Sequence, residues 1–179
     1  AVCVQGNEAG GHRGGWLAQS ETDPLGLLTL ISQTRALTDI PLIAAGGIMT
    51  AQDIKAVQAA GAELAQMGTA FLTTDKCGIN DTYKKALLDA SQGERPTETR
   101  LTRLFSGKLA RGLLNKYLCN FAQFESEHNL PPYPQLNAMT KFVRVDATKR
   151  LDAEHQSLWA GQGVSLVRDE STTALLERL

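Results

Sequence analysis

The sequence predicts an α/β chain in which residues 1–78 form three strand–loop–helix units and residues 79–179 form a mainly helical region. Three observations carry this. Short apolar runs recur at residues 1–4, 41–45 and 63–67, and each ends in glycine: Gly6, Gly46-Gly47 and Gly68. Between the runs lie segments with helical spacing and capping residues. Continuous apolar runs of this length are typical of parallel strands covered by helices. Three such units in about eighty residues indicate a parallel sheet or barrel.

The first run leads into Gln5-Gly6-Asn7-Glu8-Ala9-Gly10-Gly11-His12-Arg13-Gly14-Gly15, with five glycines within ten residues. Glycine lets the backbone take positive φ and lets a ligand approach main-chain N–H groups. The expected result is a flexible rim at the C-terminal end of a buried parallel strand, where such folds place their chemistry. His12 is the one imidazole in it. Asp23 can cap the next helix with Pro24 at its first position, and Leu27, Leu28, Ile31 and Thr34 fall on one face. That helix stops near Asp39-Ile40-Pro41. After the second strand, Thr50 and Asp53 have capping-box spacing, Ile54, Val57 and Ala60 form the buried stripe, and Gly61 closes the helix.

The second and third strand ends, Ala45-Gly46-Gly47-Ile48 and Gln66-Met67-Gly68-Thr69, belong on neighbouring strands. Loops after the last two strands of (β/α)8 barrels commonly hold phosphate on main-chain N–H groups, and Thr69 adds a hydroxyl. Each glycine taken alone also reads as a tight turn or a packing contact. As a pair at successive strand ends they favour phosphate. No Gly-x-Gly-x-x-Gly with a downstream acid is present, which argues against a Rossmann site.

Beyond residue 78, Asn80 can cap a helix bearing Tyr83, Ala86, Leu87 and Ala90 that ends at Gly93. Residues 95–116 are basic, and such a run usually marks a solvated face; the alternative is an arginine that reaches an anionic ligand. Leu114, Leu118 and Phe121 make another helical stripe. Asn129-Leu130-Pro131-Pro132-Tyr133-Pro134 is a stiff turn, and Leu136, Met139 and Val143 follow on a helix towards Arg150. His155 lies on a polar stretch. Residues 159–163 form a glycine loop with Trp159 as an aromatic anchor, and Ser171 starts the last helix.

With 179 residues, 42% hydrophobic and 21% charged, the chain reads as one soluble globular unit. A net charge of −1 gives no field that favours nucleic acid or an anionic membrane. No apolar run approaches the ~20 residues that span a bilayer. Cys3, Cys77 and Cys119 are scattered without metal-ligand spacing, so they read as free thiols of a reducing, cytoplasmic compartment, and no metal site is expected. An opening directly in a strand suggests the C-terminal part of a longer protein.

These residues resemble the nitronate monooxygenase family, formerly 2-nitropropane dioxygenase. Gln5-Gly6-x-Glu8-Ala9-Gly10-Gly11-His12-Arg13-Gly14 is similar to its active-site signature. Ala44-Ala45-Gly46-Gly47-Ile48 and Gln66-Met67-Gly68-Thr69-Ala70-Phe71 resemble its phosphate loops. Phe105-Ser106-Gly107-Lys108-Leu109-Ala110-Arg111-Gly112, Tyr133-Pro134 with Asn137-Ala138-Met139-Thr140, and Leu158-Trp159-Ala160-Gly161-Gln162-Gly163 resemble its C-terminal region.

The resemblance implies the last three strands of a (β/α)8 TIM barrel that carries non-covalent FMN and oxidises alkyl nitronates with O2 to carbonyl compounds and nitrite. By position, Gln5 and Gly10 would contact the flavin, and Gly47, Gln66, Met67, Gly68 and Thr69 would hold its phosphate. His12 would be the catalytic histidine, and Tyr133 would fall near the substrate. Arg13 would either strengthen anion binding or point to solvent. The front half of the barrel is missing from this pattern, so the 179 residues alone are expected to be poorly stable or inactive. Two other readings share the motifs: a flavin-dependent enoyl-acyl carrier protein reductase using NAD(P)H, and a non-catalytic flavin-binding fragment. Arg13-Gly14-Gly15-Trp16 and the 159–163 loop favour the nitronate enzyme.

Overall fold

The computed structural model describes residues 1–15, 25–125 and 130–179. Trp16, Asp23, Pro24 and Asn129, singled out above, lie outside the described residues.

The three expected strands form one parallel sheet. β1 (Val2–Gln5), β3 (Leu42–Ala45) and β4 (Leu64–Gln66) lie in the order β1-β3-β4. Register places Gln5 beside Ala45 and Ala45 beside Gln66, so all three glycine loops leave from the same end. Helices α1 (Leu27–Arg35) and α2 (Ala51–Ala59) connect the strands. Val4, Leu42 and Ala44 on the sheet pack with Leu27, Ile31 and Val57 from the helices. Side chains alternate across a strand, and the opposite face carries Cys3, Ile43 and Leu64. There Cys3 is exposed and Leu64 is 59% exposed. The first strand is therefore only partly buried, contrary to expectation.

Local signals act as read. Thr50 Oγ1 accepts from the Asp53 N–H, and Asp53 accepts from the Thr50 N–H, a complete capping box on α2. Asn80 caps α3 (Asp81–Ser91), and Ser171 caps α6 (Thr172–Glu177). Helix α1 differs in its face and in its cap. Leu28 is exposed, with Leu30 packing inward in its place. The Leu27 N–H donates to the Glu8 carboxylate at 3.0 Å, so the glycine-rich loop itself caps this helix. A carboxylate is favourable there because the first helical N–H groups have no intrahelical partner.

The C-terminal region is not purely helical. Residues 95–116 contain a hairpin, β5 (Thr99–Thr102) and β6 (Ala110–Leu113), and β6 also pairs antiparallel with β2 (Gly11–His12). This three-stranded sheet, ordered β2-β6-β5, ties the two parts of the chain together. The solvated-face reading fails at Arg111, which is 4% exposed, because its guanidinium donates to Asn7 and Thr99. Helix α4 (Lys116–Asn120) buries Tyr117 and Leu118 but leaves Phe121 exposed. Helix α5 (Gln135–Lys149) buries Leu136, Thr140 and Ala147, so Met139 and Val143 are exposed rather than core. Thr140 faces inward, and its hydroxyl donates to the carbonyl of buried Phe105. A second core joins α3 to the chain's last segments through Leu87, Leu113, Leu158, Val164 and Leu175.

Candidate active site

A cavity of about 410 Å³ opens at the loop end of the parallel sheet. It is lined by Gln5 and Gly10 from the first loop, Gly46, Gly47 and Ile48 from the second, and Gln66, Met67, Gly68 and Thr69 from the third. Met49, Tyr83, Trp159 and Gly161 close its sides. The structure therefore brings together Gln5, Gly10, Gly47, Gln66, Met67, Gly68 and Thr69 from positions up to 64 residues apart.

The lining contains no charged side chain among the described residues. Much of its polar capacity is main-chain, with the side chains of Gln66 and Thr69 beside it. Among the described residues the N–H groups of Gly47, Ile48, Gly68 and Thr69 donate to no protein acceptor. Such groups need a partner when shielded from water, and together they form a cradle suited to an anion. Gly47 has φ 68°, a conformation side chains disfavour. A Cβ on Gly10 would sit 2.5 Å from the Gly161 nitrogen, so two loops touch there through bare backbone. Thr69 Oγ1 accepts from the Gly161 N–H at 2.9 Å, which leaves its own proton available to the cavity.

Gln5 holds the rim. Its Nε2 donates to the His12 carbonyl at 3.0 Å, and its Oε1 accepts from the Gly14 N–H at 2.8 Å. Arg13 is buried, and its guanidinium donates to the Gly6 and Gln5 carbonyls. It therefore braces the loop backbone and does not project to solvent.

His12 is not in a flexible rim. It is paired with Ala110 across β2 and β6. It does not line the cavity; it stands beside it, with its ring 5.4 Å from the ring of Trp159, which does. The Tyr133 ring also packs edge-on against the imidazole, with ring centroids 6.1 Å apart. Nε2 of His12 is 2.7 Å from Ser106 Oγ. Partial burial pushes the imidazole pKa down, and the positive charges of Lys108 and Arg144 push it in the same direction. His12 is therefore a neutral, proton-accepting group near pH 7, set in a locally cationic field. His155 is engaged elsewhere: it hydrogen-bonds Asp152 at 2.8 Å, and its ring lies against Tyr117 rather than against His12.

Sequence reasoning missed three residues that shape the site. Ser106 contacts His12 across 94 positions, Arg111 grips Asn7 across 104, and Glu8 caps α1 from the loop. Each acts through long-range placement, which no local pattern reports.

Among the described residues no group of His, Cys, Asp and Glu could hold a metal ion, and no helix is long and apolar enough to cross a membrane.

Comparison with known proteins places this architecture. The family model for nitronate monooxygenase matches residues 1–179. A "probable nitronate monooxygenase" of Staphylococcus haemolyticus is 41% identical over 99% of this chain and 49% of its own length. One from Bacillus subtilis is 40% identical over 99% and 50%. Among solved structures, the nitroalkane oxidase from Streptomyces ansochromogenes superposes with a TM-score of 0.89 at 42% identity, over 99% of this chain and 49% of that one. FabK from Thermotoga maritima gives 0.75 at 27% identity, over 99% and 52%. The chain thus spans about half the length of the curated relatives it matches. It belongs to the nitronate monooxygenase family.

Proposed function

We propose that this chain forms part of an FMN-dependent nitronate monooxygenase that oxidises alkyl nitronates with O2 to carbonyl compounds and nitrite. The observation that carries the reading is Trp159: it lines the cavity and touches His12, so it joins a cradle for an anionic cofactor to a neutral base.

The residues present fit FMN. Its phosphate would be held by the unpaired N–H groups of Gly47, Ile48, Gly68 and Thr69, with the Thr69 hydroxyl. Gln5, Gly10, Gln66 and Met67 would line the rest of the flavin. When bound, FMN supplies the electron acceptor for the carbanion-like nitronate and the centre that meets O2. Lys108 and Arg144 make the approach to His12 attractive to an anionic nitro group. His12 removes the α-proton of a neutral nitroalkane, or, when protonated, donates a hydrogen bond to the anionic nitro group. Tyr133 and Trp159 wall the space around the imidazole and favour a small, apolar carbon chain.

The parallel sheet reads as a sector of a (β/α)8 barrel. The uncovered face with Cys3, Ile43 and Leu64 would be barrel interior, and β1 and β4 would each gain a neighbouring strand. Residues 1–78 would supply the barrel units, and residues 79–179 would pack against them in the same domain. Three free cysteines suit a reducing, cytoplasmic setting.

The test is oxygen uptake by the flavin-loaded parent protein, given an alkyl nitronate and no nicotinamide. Uptake with nitrite release, lost in His12→Ala, supports the reading. Absence of uptake together with rapid bleaching of the flavin by NADH would favour an enoyl-acyl carrier protein reductase. Flavin binding with neither response would leave a non-catalytic flavin-binding role.

A further inference from the structure

Ser106 is 1% exposed and makes three polar contacts through one hydroxyl. Its Oγ lies 2.9 Å from the Lys108 carbonyl, 3.3 Å from the Lys108 N–H and 2.7 Å from His12 Nε2. A serine hydroxyl has one proton to give and two lone pairs to accept with. The Lys108 carbonyl can only accept, so the Ser106 proton goes there. The Lys108 N–H takes one lone pair. The other is left for Nε2, which must then carry a hydrogen. In the opposite arrangement, two oxygens would face each other at 2.9 Å with no proton between them.

The geometry points to Ser106 as the positioning residue that fixes the His12 tautomer: the ring proton is held on Nε2, and Nδ1 is the nitrogen that accepts a proton. This rests on the reading of His12 as the active-site histidine. Among the described residues Nδ1 makes no hydrogen bond. The turn that carries Ser106 is itself braced. Gly107 has φ 80°, and a Cβ there would lie 2.4 Å from the Pro131 carbonyl oxygen. The hydroxyl is thus fixed with respect to both His12 and the segment bearing Tyr133. With a neutral nitroalkane, the α-C–H bond breaks, its electron pair remains on the substrate as the nitronate, and the proton moves to Nδ1. The product is an imidazolium that still donates from Nε2 to Ser106. A preformed nitronate skips that transfer.

The experiment uses the full-length, flavin-loaded protein with 15N-labelled histidine, and His12 resonances are assigned by their loss in His12→Gln. Long-range 1H–15N spectra above pH 7 should show His12 protonated at Nε2. Ser106→Ala should shift the two nitrogens towards averaged values, and Ser106→Thr should restore the original pattern. In turnover, Ser106→Ala should lower kcat/KM for a neutral nitroalkane at least about tenfold, and change that for the preformed nitronate less than about threefold. A wild-type spectrum with the proton on Nδ1 would overturn the assignment without any variant. So would equal losses on both substrates, or a Ser106→Ala spectrum identical to wild type. The spectrum reads the tautomer whether or not nitronates are turned over, so a failure of the functional reading is seen separately in the oxygen assay.

Discussion

His12 is neutral near pH 7 for reasons that lie around it. Partial desolvation disfavours the imidazolium first, and Lys108 and Arg144 add like-charge repulsion. The folded-state pKa therefore lies below the ordinary 6.5. The sign follows from linkage: between the two values the unfolded chain binds more protons than the folded one. His12 thus contributes least to stability at low pH. Its penalty should grow as pH falls below 6.5 and level off beneath the folded pKa. Activity should follow the same group. The acid limb of kcat/KM for a neutral nitroalkane should have its midpoint below pH 6.5, and a pH–rate profile in the parent protein checks it. A midpoint above 6.5 would mean that a nearby anion, not the cations seen here, governs the ring.

Among the secondary elements, α2 does most to place the main-chain N–H cradle proposed above for phosphate. Its capping box ties Thr50 to Asp53, and Asp53 also accepts from the Met49 N–H at 3.0 Å, next to Ile48. The cap therefore anchors the loop whose free N–H groups line the cavity. Thr50→Ala should cost about 1 kcal/mol of stability. Denaturant unfolding of the parent protein checks this, and flavin affinity should fall with it. The hairpin β5–β6 has an equivalent part on the other side. It carries Ser106 and Lys108 in its turn and Arg111 in its second strand, and so it supports His12 and the Asn7 backbone together.

Across the molecule, two sheets meet at the first loop. Gln5 ends a strand of the parallel sheet, and His12 sits in the antiparallel one. Buried Arg13 and Arg111 both donate to carbonyls of residues 5–7, which locks this junction. The parallel sheet, by contrast, has an uncovered apolar face and an open edge on β1 and on β4 among the described residues. Unpaired edges and bare apolar surface favour aggregation. Expressed alone, the 179-residue segment should elute largely as aggregate and retain no FMN. Size exclusion with flavin absorbance measures both. A monomer with stoichiometric flavin would remove the need for a completed barrel.

Patterns local to the chain were enough for the parallel strands, the caps of α2 and α3 and the glycine loops, but not for the cap of α1, which Glu8 supplies from 19 residues away. Thr50-x-x-Asp53, Asn80 and the strand-ending glycines act through neighbours two to four residues away, so the sequence displays them directly. The same holds for the cavity residues at the second and third strand ends, because strand ends in register must meet, whereas Tyr83, Trp159 and Gly161 reach the cavity from distant segments. The hairpin was illegible because its basic residues mimic a solvated face, and burial of Arg111 depends on Asn7, 104 positions away. The inward face of α5 was misread for a similar reason: Thr140 has a buried carbonyl to satisfy, that of Phe105, while Met139 and Val143 have no cover. The pairing of His12 with Ser106, and with it the choice of ring nitrogen, was also left to the tertiary structure. A hydrogen bond between distant residues is specified by how two sheets pack, and packing is a property of the assembled chain rather than of any window along it.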